Sequence, residues 1–162
     1  MIYKNSFVEM NFEIINKEIE ITKITQCPDN LCLPDDLRSL PIVKICDHAC
    51  ENLKNLKNII LPEHTKTIGK YAFLGCSNLI NTNFPSELIS IEDSAFFECS
   101  NLKNALLNDG LVDIGNRAFF CCTNLQSLNI PASVRFIGKE AFAFCSSKLN
   151  EIKLKIGLPK DP

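Results

Sequence analysis

Cysteine and histidine are the residues of this chain whose side chains could carry chemistry, and it has nine of the first and two of the second. The run Cys46-Asp-His-Ala-Cys50, taken with Cys27 and Cys32, offers the ligand types of a zinc site. Its spacing differs from the paired CxxC knuckles that hold zinc in small domains. We therefore expect no bound metal and assign these cysteines to packing.

A cysteine nucleophile is the other chemistry to consider, and Cys121 is the candidate because the repeat described below turns it outward. Such a thiol needs a neighbouring base. The two histidines, His48 and His64, lie far from it in the repeat. The sequence also lacks a glycine-rich phosphate loop, an HExxH pair and a GxSxG elbow, and its carboxylates are scattered. We predict a chain that is not an enzyme and has no cofactor.

The elements that position all these residues are copies of one 23-residue repeat. Its inward isoleucine is followed four residues later by alanine, then by phenylalanine, and three residues further on by cysteine or leucine. We number coils 1 to 5 from that isoleucine. The isoleucines are Ile45, Ile68, Ile91, Ile114 and Ile137. A fixed step over so many columns predicts a solenoid, in which each coil buries its apolar side against the next.

Each coil has two halves with different periods. Ile114, Ala118, Phe119 and Cys122 follow the spacing of a short helical turn, whereas residues 125–130 alternate as a strand with one buried side. The predicted fold class is thus an α/β leucine-rich-repeat solenoid, a parallel strand ladder with short helical turns. A further inward column predicts a second extended segment on the opposite side. Its members are Ile42, Thr65, Leu88, Leu111 and Val134.

Three other columns have structural interpretations. Cysteines in the inward column pack as small apolar side chains. They are Cys76, Cys99, Cys122 and Cys145. Asparagines before the strand are expected to bond the loop backbone of neighbouring coils. They are Asn55, Asn78, Asn101 and Asn124. Glycines after the isoleucine are expected where the backbone turns. They are Gly69, Gly115 and Gly138.

We predict one solenoid domain over residues 1–162. Residues 1–44 form an amino-terminal cap, with apolar residues such as Phe12 and Ile21 in a hairpin and a degenerate half-coil that joins the array. Five repeats fill residues 45–155, with a one-residue insertion within 146–148, and 156–162 form a tail. At this end the array either continues in a longer protein or offers an edge to another chain.

The segments Leu125-Gln-Ser-Leu-Asn-Ile-Pro131 and Ile137-Gly-Lys-Glu-Ala-Phe-Ala-Phe-Cys145 carry the pattern LxxLxLPxxLxxIGxxAFxxC. This pattern resembles the BspA-like class of leucine-rich repeats over about residues 34–155. The resemblance implies the solenoid fold, and it implies adhesion to proteins or cells because many members are surface-exposed. We identified no signal peptide or anchor in these residues.

The outward strand positions form a nearly uncharged face rich in amides, which is our predicted partner-binding face. Its residues are Asn58, Ile60, Asn81, Asn83, Asn104, Leu106, Ser127, Asn129, Glu151 and Lys153. The cap, the edges and the outer loops are the alternative places for binding.

The function expected first is a protein-protein interaction module, and the alternative is an adhesin domain of a larger secreted protein. The formal charge of −2 argues against a nucleic-acid partner, and no apolar run is long enough to insert into a membrane. We expect a monomer, with an edge-mediated dimer as the alternative. The free thiols and the missing signal favour the cytoplasm, or the cell surface if the chain is a fragment.

Overall fold

The structure is a computed structural model, and it describes residues 1–146, 149 and 152–154. Fifteen strands occur in this part of the chain. They are β1 Ile2–Lys4, β2 Glu9–Ile15, β3 Glu18–Gln26, β4 Asn30–Cys32, β5 Asp36–Leu37, β6 Leu40–Ile45, β7 Asn58–Ile60, β8 Thr67–Ile68, β9 Asn81–Thr82, β10 Ser90–Ile91, β11 Asn104–Leu106, β12 Asp113–Ile114, β13 Ser127–Ile130, β14 Phe136–Ile137 and β15 Ile152–Leu154.

Two sides of every coil are parallel strand ladders. One side is a nine-stranded sheet in the order β1-β2-β3-β6-β8-β10-β12-β14, with β5 paired to β6. The opposite side consists of two three-stranded sheets, β4-β7-β9 and β11-β13-β15. Successive repeats pair at a step of 23 residues, as Ile91 does with Ile68 and Ile114. This confirms the second extended segment predicted from the inward column.

The amino-terminal cap is built as an antiparallel meander on the same nine-stranded sheet. Strands β2 and β3 form the predicted hairpin, and β1 pairs with the outer side of β2. Strand β3 then runs parallel to β6, so Ile21 lies beside Ile45 of the first coil. The cap thereby covers the strand edge and the core that coil 1 would otherwise leave open.

The core contains the columns that the repeat predicts. Phe73, Phe96 and Phe119 are fully buried and stack face to face, with ring centroids 5.0 and 5.1 Å apart. Thr65 is fully buried in a column of aliphatic side chains, and its hydroxyl finds no hydrogen-bond partner within the described residues. Ile137 in the fifth coil is 38 % exposed, unlike its buried counterparts.

The prediction of short helical turns is wrong, because no helix occurs among the described residues. In coil 2 the N–H groups of Ala72 and Leu74 bond three residues back. Those of Tyr71 and Phe73 donate instead to Asp93 and Ala95 in the next coil. Every second N–H group in the segment therefore donates to the next coil, and no run of i to i−4 hydrogen bonds can form. The fold is a β-solenoid of about five turns.

The backbone supports this turn by placing non-glycine residues in the left-handed region. Tyr71 has φ 57°, Arg117 has φ 53° and Cys121 has φ 59°. Each such residue would break a helix. The alternation of bonds, repeated in coils 1 to 4, stabilises this backbone conformation.

The glycines after the inward isoleucine have a different role from the one predicted. Gly69 and Gly115 do not adopt positive φ, whereas Gly75 does (φ 67°). A Cβ on Gly69 would lie 2.5 Å from Asp47 Oδ1 and 2.7 Å from Asp47 N. Glycine is therefore required here because the backbones of adjacent coils approach closely.

Register across the last pair of strands confirms the predicted insertion. Leu128 pairs with Ile152, a step of 24 residues, whereas Ala105 pairs with Leu128 at a step of 23. The segment predicted to contain the insertion, residues 146–148, lies mostly outside the described residues. No helix in the described part of the chain is long and apolar enough to cross a membrane.

Candidate binding surface

Most of the predicted binding residues lie on the outward side of β7, β9, β11 and β13 or directly after β9, and we call this surface the strand face. Ile60 and Leu106 are its protruding aliphatic side chains, 54 % and 62 % exposed. Asn81 and Ser127 are also exposed, and Asn104 is half-buried. Glu151 lies outside the described residues. Lys153 lies in β15 opposite Asn129.

A ladder of side-chain amides runs along the first half of the strand face. Asn58 Nδ2 donates to Asn30 Oδ1, and Asn81 Nδ2 donates to Asn58 Oδ1 over 2.8 Å. Asn30 was missed from the sequence, because five extra residues separate β4 from β7 relative to the regular step. An amide has two donor hydrogens and two acceptor lone pairs, so each ladder member retains hydrogen-bonding capacity towards solvent.

Two of the predicted binding amides instead hold coils together. Asn83 accepts from Leu61 N at 2.6 Å and donates to Leu61 O at 3.1 Å, in the manner of a backbone pair. Asn129 Nδ2 donates to Leu107 O at 3.3 Å. Both side chains are half-buried, so the strand face has fewer available amides than its sequence suggests.

The strand face is interrupted between β9 and β11, which belong to different sheets. Beneath the interruption lies Phe84, at a position where other coils have leucine or isoleucine. Its ring packs against Phe96 at 5.7 Å and Phe119 at 6.1 Å. Ile60 lies on one side of the interruption and Leu106 on the other.

The asparagine column before the strand bonds between coils, as predicted. Asn55, Asn78 and Asn101 donate to the carbonyl oxygens of Cys27, Lys54 and Ser77, at 2.7 to 2.8 Å. Asn124 donates to the side chain of Asn101. A similar set was missed: Asp47 and Asp93 accept from the backbone N–H of Lys70 and Asn116. These bonds stabilise coil stacking.

The cysteine column is a ladder of free thiols. Each donates to a carbonyl oxygen of the preceding coil, as Cys99 Sγ does to Phe73 O at 3.2 Å and Cys122 Sγ to Phe96 O at 3.3 Å. Burial raises the pKa of Cys76 to about 12 and that of Cys99 well above its ordinary value. Cys76 and Cys99 therefore stay protonated and inert at neutral pH.

The other candidate chemistry does not assemble. No group of three or more potential ligands suits a metal ion within the described part of the chain. Burial and a hydrogen bond to Glu20 raise the pKa of Cys46 to about 12. Burial also raises the pKa of Cys121. His48 Nδ1 bonds Glu51, and its ring stacks on Tyr71, so it is no base for either thiol.

A cavity lies beside the nine-stranded sheet, next to β3, β5, β6 and β8. This cavity of about 350 Å³ is lined by residues including Val43, His64 and Lys66. Its charges are mostly paired: Lys66 Nζ bonds Glu18 at 2.8 Å, and His64 bonds Glu87 at 3.0 Å. The hydrogen bond to Glu87 raises the pKa of His64.

The family model for the BspA type leucine rich repeat region matches residues 42–159 in six copies, one more than the five coils counted from the sequence. The chain belongs to this family. No curated protein sequence matches the chain. This BspA-type repeat is similar to a solved leucine rich repeat protein of T. pallidum, with 26 % identity and a TM-score of 0.77 over 87 % of the chain and 66 % of that protein.

Longer solved proteins contain the same fold. A leucine-rich repeat protein from Bacteroides ovatus is 26 % identical, with a TM-score of 0.71 over 86 % of this chain and 38 % of its own. A leucine rich cell surface protein from Faecalibacterium prausnitzii is 21 % identical, with a TM-score of 0.58 over 90 % of this chain and 52 % of its own. This BspA-type chain therefore spans less than two thirds of each of these relatives.

Proposed function

We propose that the chain is a non-catalytic protein-binding module whose strand face holds the partner, with Ile60 and Leu106 as the apolar anchors. The observation that carries the proposal is the protrusion of these two aliphatic side chains from a surface that has no charged residue along β7, β9, β11 and β13. Apolar side chains surrounded by neutral amides can be desolvated without stripping water from an ion, which favours docking of another protein.

The amide ladder supports the same surface. Asn58 and Asn81 are ordered by their mutual hydrogen bond, so little side-chain entropy is lost when a partner bonds their remaining donors and acceptors. Parallel strands hold the ladder and Ile60 in one three-stranded sheet, and they hold Leu106 in the next sheet on the same side of the solenoid. Because this surface offers exposed aliphatic side chains and unused amide donors and acceptors, we expect a partner whose surface is neutral and partly apolar.

A second candidate function is that of an adhesin domain within a larger surface protein. It is supported by the fold shared with the Faecalibacterium prausnitzii cell surface protein and by the greater length of the three similar proteins named above. The cytoplasmic location predicted from the thiols and from the lack of a recognised signal remains a prediction. The two functions differ in where the protein partner is found, inside the cell or outside it.

The proposal is tested by capture of proteins on the immobilised chain. The chain, its Ile60→Glu/Leu106→Glu variant and an Ile15→Glu/Ile89→Glu control are exposed in parallel to cytosolic lysate and to extracellular-matrix proteins. The control loses two aliphatic side chains of similar exposure, 42 % and 47 %, and gains the same charge. We expect a protein held by the chain and the control and lost by the strand-face variant.

Equal capture by all three forms would contradict the strand face as the binding site. Melting temperatures within a few degrees of each other show that the three forms are folded. A partner taken only from lysate supports an intracellular module, and one taken only from matrix proteins supports the adhesin.

A further inference from the structure

The outward side of the turn segments in coils 2 to 5 is an aromatic surface, which we call the turn face. Its rings are Tyr71, Phe97, Phe120 and Phe144. Phe97 and Phe120 stack at 4.9 Å, and Phe144 meets Phe120 edge-on at 5.1 Å. Phe144 is 70 % exposed and Tyr71 is 37 % exposed. The turn face is separate from the strand face and has no role in the proposed function.

Arg117 lies beside these rings on the turn face. Its guanidinium lies 5.6 Å above the ring of Phe120, and its Nε donates to Glu140 at 2.7 Å. Aromatic side chains and arginine are enriched at protein interfaces, and tyrosine and arginine are also enriched at their energetic hot spots. Because the arginine is already held in place, docking costs it little entropy.

Charge is distributed unevenly along the turn face. The turn of coil 3, residues 91–99, has three carboxylates: Glu92, Asp93 and Glu98. The turn of coil 4, residues 114–122, has Arg117 and no carboxylate. A second copy laid on this face with its coils in the same order would oppose coil 3 to coil 3, which like charges disfavour. Reversing the order opposes the acidic coil to the basic one.

We propose that a second copy of this chain docks on the turn face with its coils in reverse order, coil 3 of each copy facing coil 4 of the other. This two-fold arrangement stacks Phe97 on Phe120 of the second copy and places Arg117 over the small Ser94, near Glu98. Tyr71 then faces Glu140, whose carboxylate accepts the phenol hydrogen. Each contact occurs twice, as an isologous interface requires.

The most exposed ring also finds a partner in this arrangement. Phe144 in coil 5 faces Gly75 in coil 2, where the ammonium of Lys54 bonds the Gly75 carbonyl oxygen. Phe144 of one copy therefore packs on Lys54 of the other as a cation–π pair. Four coils at about 4.8 Å spacing form a patch about 15 to 20 Å long. Such a patch is smaller than a standard interface, so the dimer is weak.

Sedimentation velocity of the full chain, from micromolar to millimolar concentration, tests the dimer. We expect reversible dimerisation that Phe144→Ser weakens about tenfold or more, the change typical of an aromatic anchor. Leu106→Ser removes an equally exposed side chain from the strand face and should leave dimerisation unchanged. The melting temperature of dilute Phe144→Ser should match that of the unaltered chain. A monomer at millimolar concentration, or equal weakening by both variants, would overturn the proposal.

The reverse order of coils is tested by charge at position 71. Tyr71→Lys and Tyr71→Glu both remove the ring, but only the first places an ammonium opposite Glu140 of the second copy. We expect the lysine variant to dimerise at least several-fold more tightly than the glutamate variant. Within one chain the two positions lie three coils apart, about 14 Å, where solvent screens most of the effect. Equal dimerisation of the two variants would exclude this arrangement.

Discussion

The strand face and the turn face are the two outward surfaces of the same repeat, and they differ in almost every property. The strand face has neutral amides with two protruding aliphatics, and several of its amides are bonded between coils. The turn face has stacked aromatic rings and ion pairs such as Arg117–Glu140. In both, backbone bonds between successive coils hold the stack together. The repeat therefore fixes its inward columns and leaves its outward columns free to acquire different surfaces.

The largest difference in stability is expected between a charge placed on the inward side of the repeat and one placed on its outward side. Phe119→Asp buries a carboxylate in the fully buried aromatic stack and leaves a cavity. We expect it to cost more than about 4 kcal/mol and abolish the cooperative thermal transition.

The neighbouring Phe120→Asp changes the same residue type on the half-buried turn face. We expect it to cost about 1 kcal/mol and to keep a sharp transition. A sharp transition for Phe119→Asp in thermal denaturation would mean that its side chain does not face the core.

Within the strand face, replacing an amide that bonds the backbone of another coil should destabilise the protein more than replacing an exposed amide. Asn83→Ala leaves the N–H and C=O of Leu61 without their side-chain partner, so we expect a loss of about 1 to 3 kcal/mol in urea denaturation. Asn81→Ala removes an exposed amide and should change stability by no more than about 0.5 kcal/mol. A larger loss of stability for Asn81→Ala than for Asn83→Ala would assign Asn83 to the binding surface and Asn81 to coil stacking.

The buried hydroxyl of Thr65 offers a stabilising change. Valine has nearly the same shape and needs no hydrogen bond, so Thr65→Val should raise the free energy of unfolding by about 1 kcal/mol. Thr67→Val is the matched control, because the Thr67 hydroxyl accepts a hydrogen bond from Ser90 at 3.2 Å. We expect no gain from the control. A destabilised Thr65→Val would show that the hydroxyl has a partner.

The smallest effect is expected in the reactivity of the thiols, which leaves the fold unchanged. Cys32 is exposed, whereas Cys76 and Cys99 are buried with raised pKa values. Since alkylation requires the thiolate, iodoacetamide should modify Cys32 in the folded protein and the buried pair only after unfolding in urea. Mass spectrometry of the labelled peptides measures the order. Equal rates for Cys32 and Cys76 in the folded protein would contradict the buried ladder.

Much of the fold could be predicted, because burial repeats with the sequence. Ile91, Ala95, Phe96 and Cys99 are all fully buried, as the period of 23 requires. The helical turn could not be excluded, because spacings of four, one and three residues also fit a turn whose alternate N–H groups bond the next coil. That difference lies in the backbone, and residues such as Tyr71 carry no signal for positive φ.

The candidate surface was only partly predictable, for a related reason. The outward direction of Ile60 and Leu106 follows from alternation along a strand. The hydrogen bonds between the Asn83 side chain and the Leu61 backbone depend on how closely two coils approach. The sequence of a single repeat does not encode that distance. The turn face was not predicted, because the spacing of its residues indicated a helix.

A titration of the captured protein into three forms of the chain tests the central claim most directly. The forms are the unaltered chain, Ile60→Glu/Leu106→Glu on the strand face and Phe144→Ser on the turn face, each at a concentration where it is monomeric. We predict at least a tenfold loss of affinity for the strand-face variant, which corresponds to about 1.4 kcal/mol, and unchanged affinity for Phe144→Ser. Loss by Phe144→Ser with full affinity in the strand-face variant would contradict the account and move partner binding to the turn face.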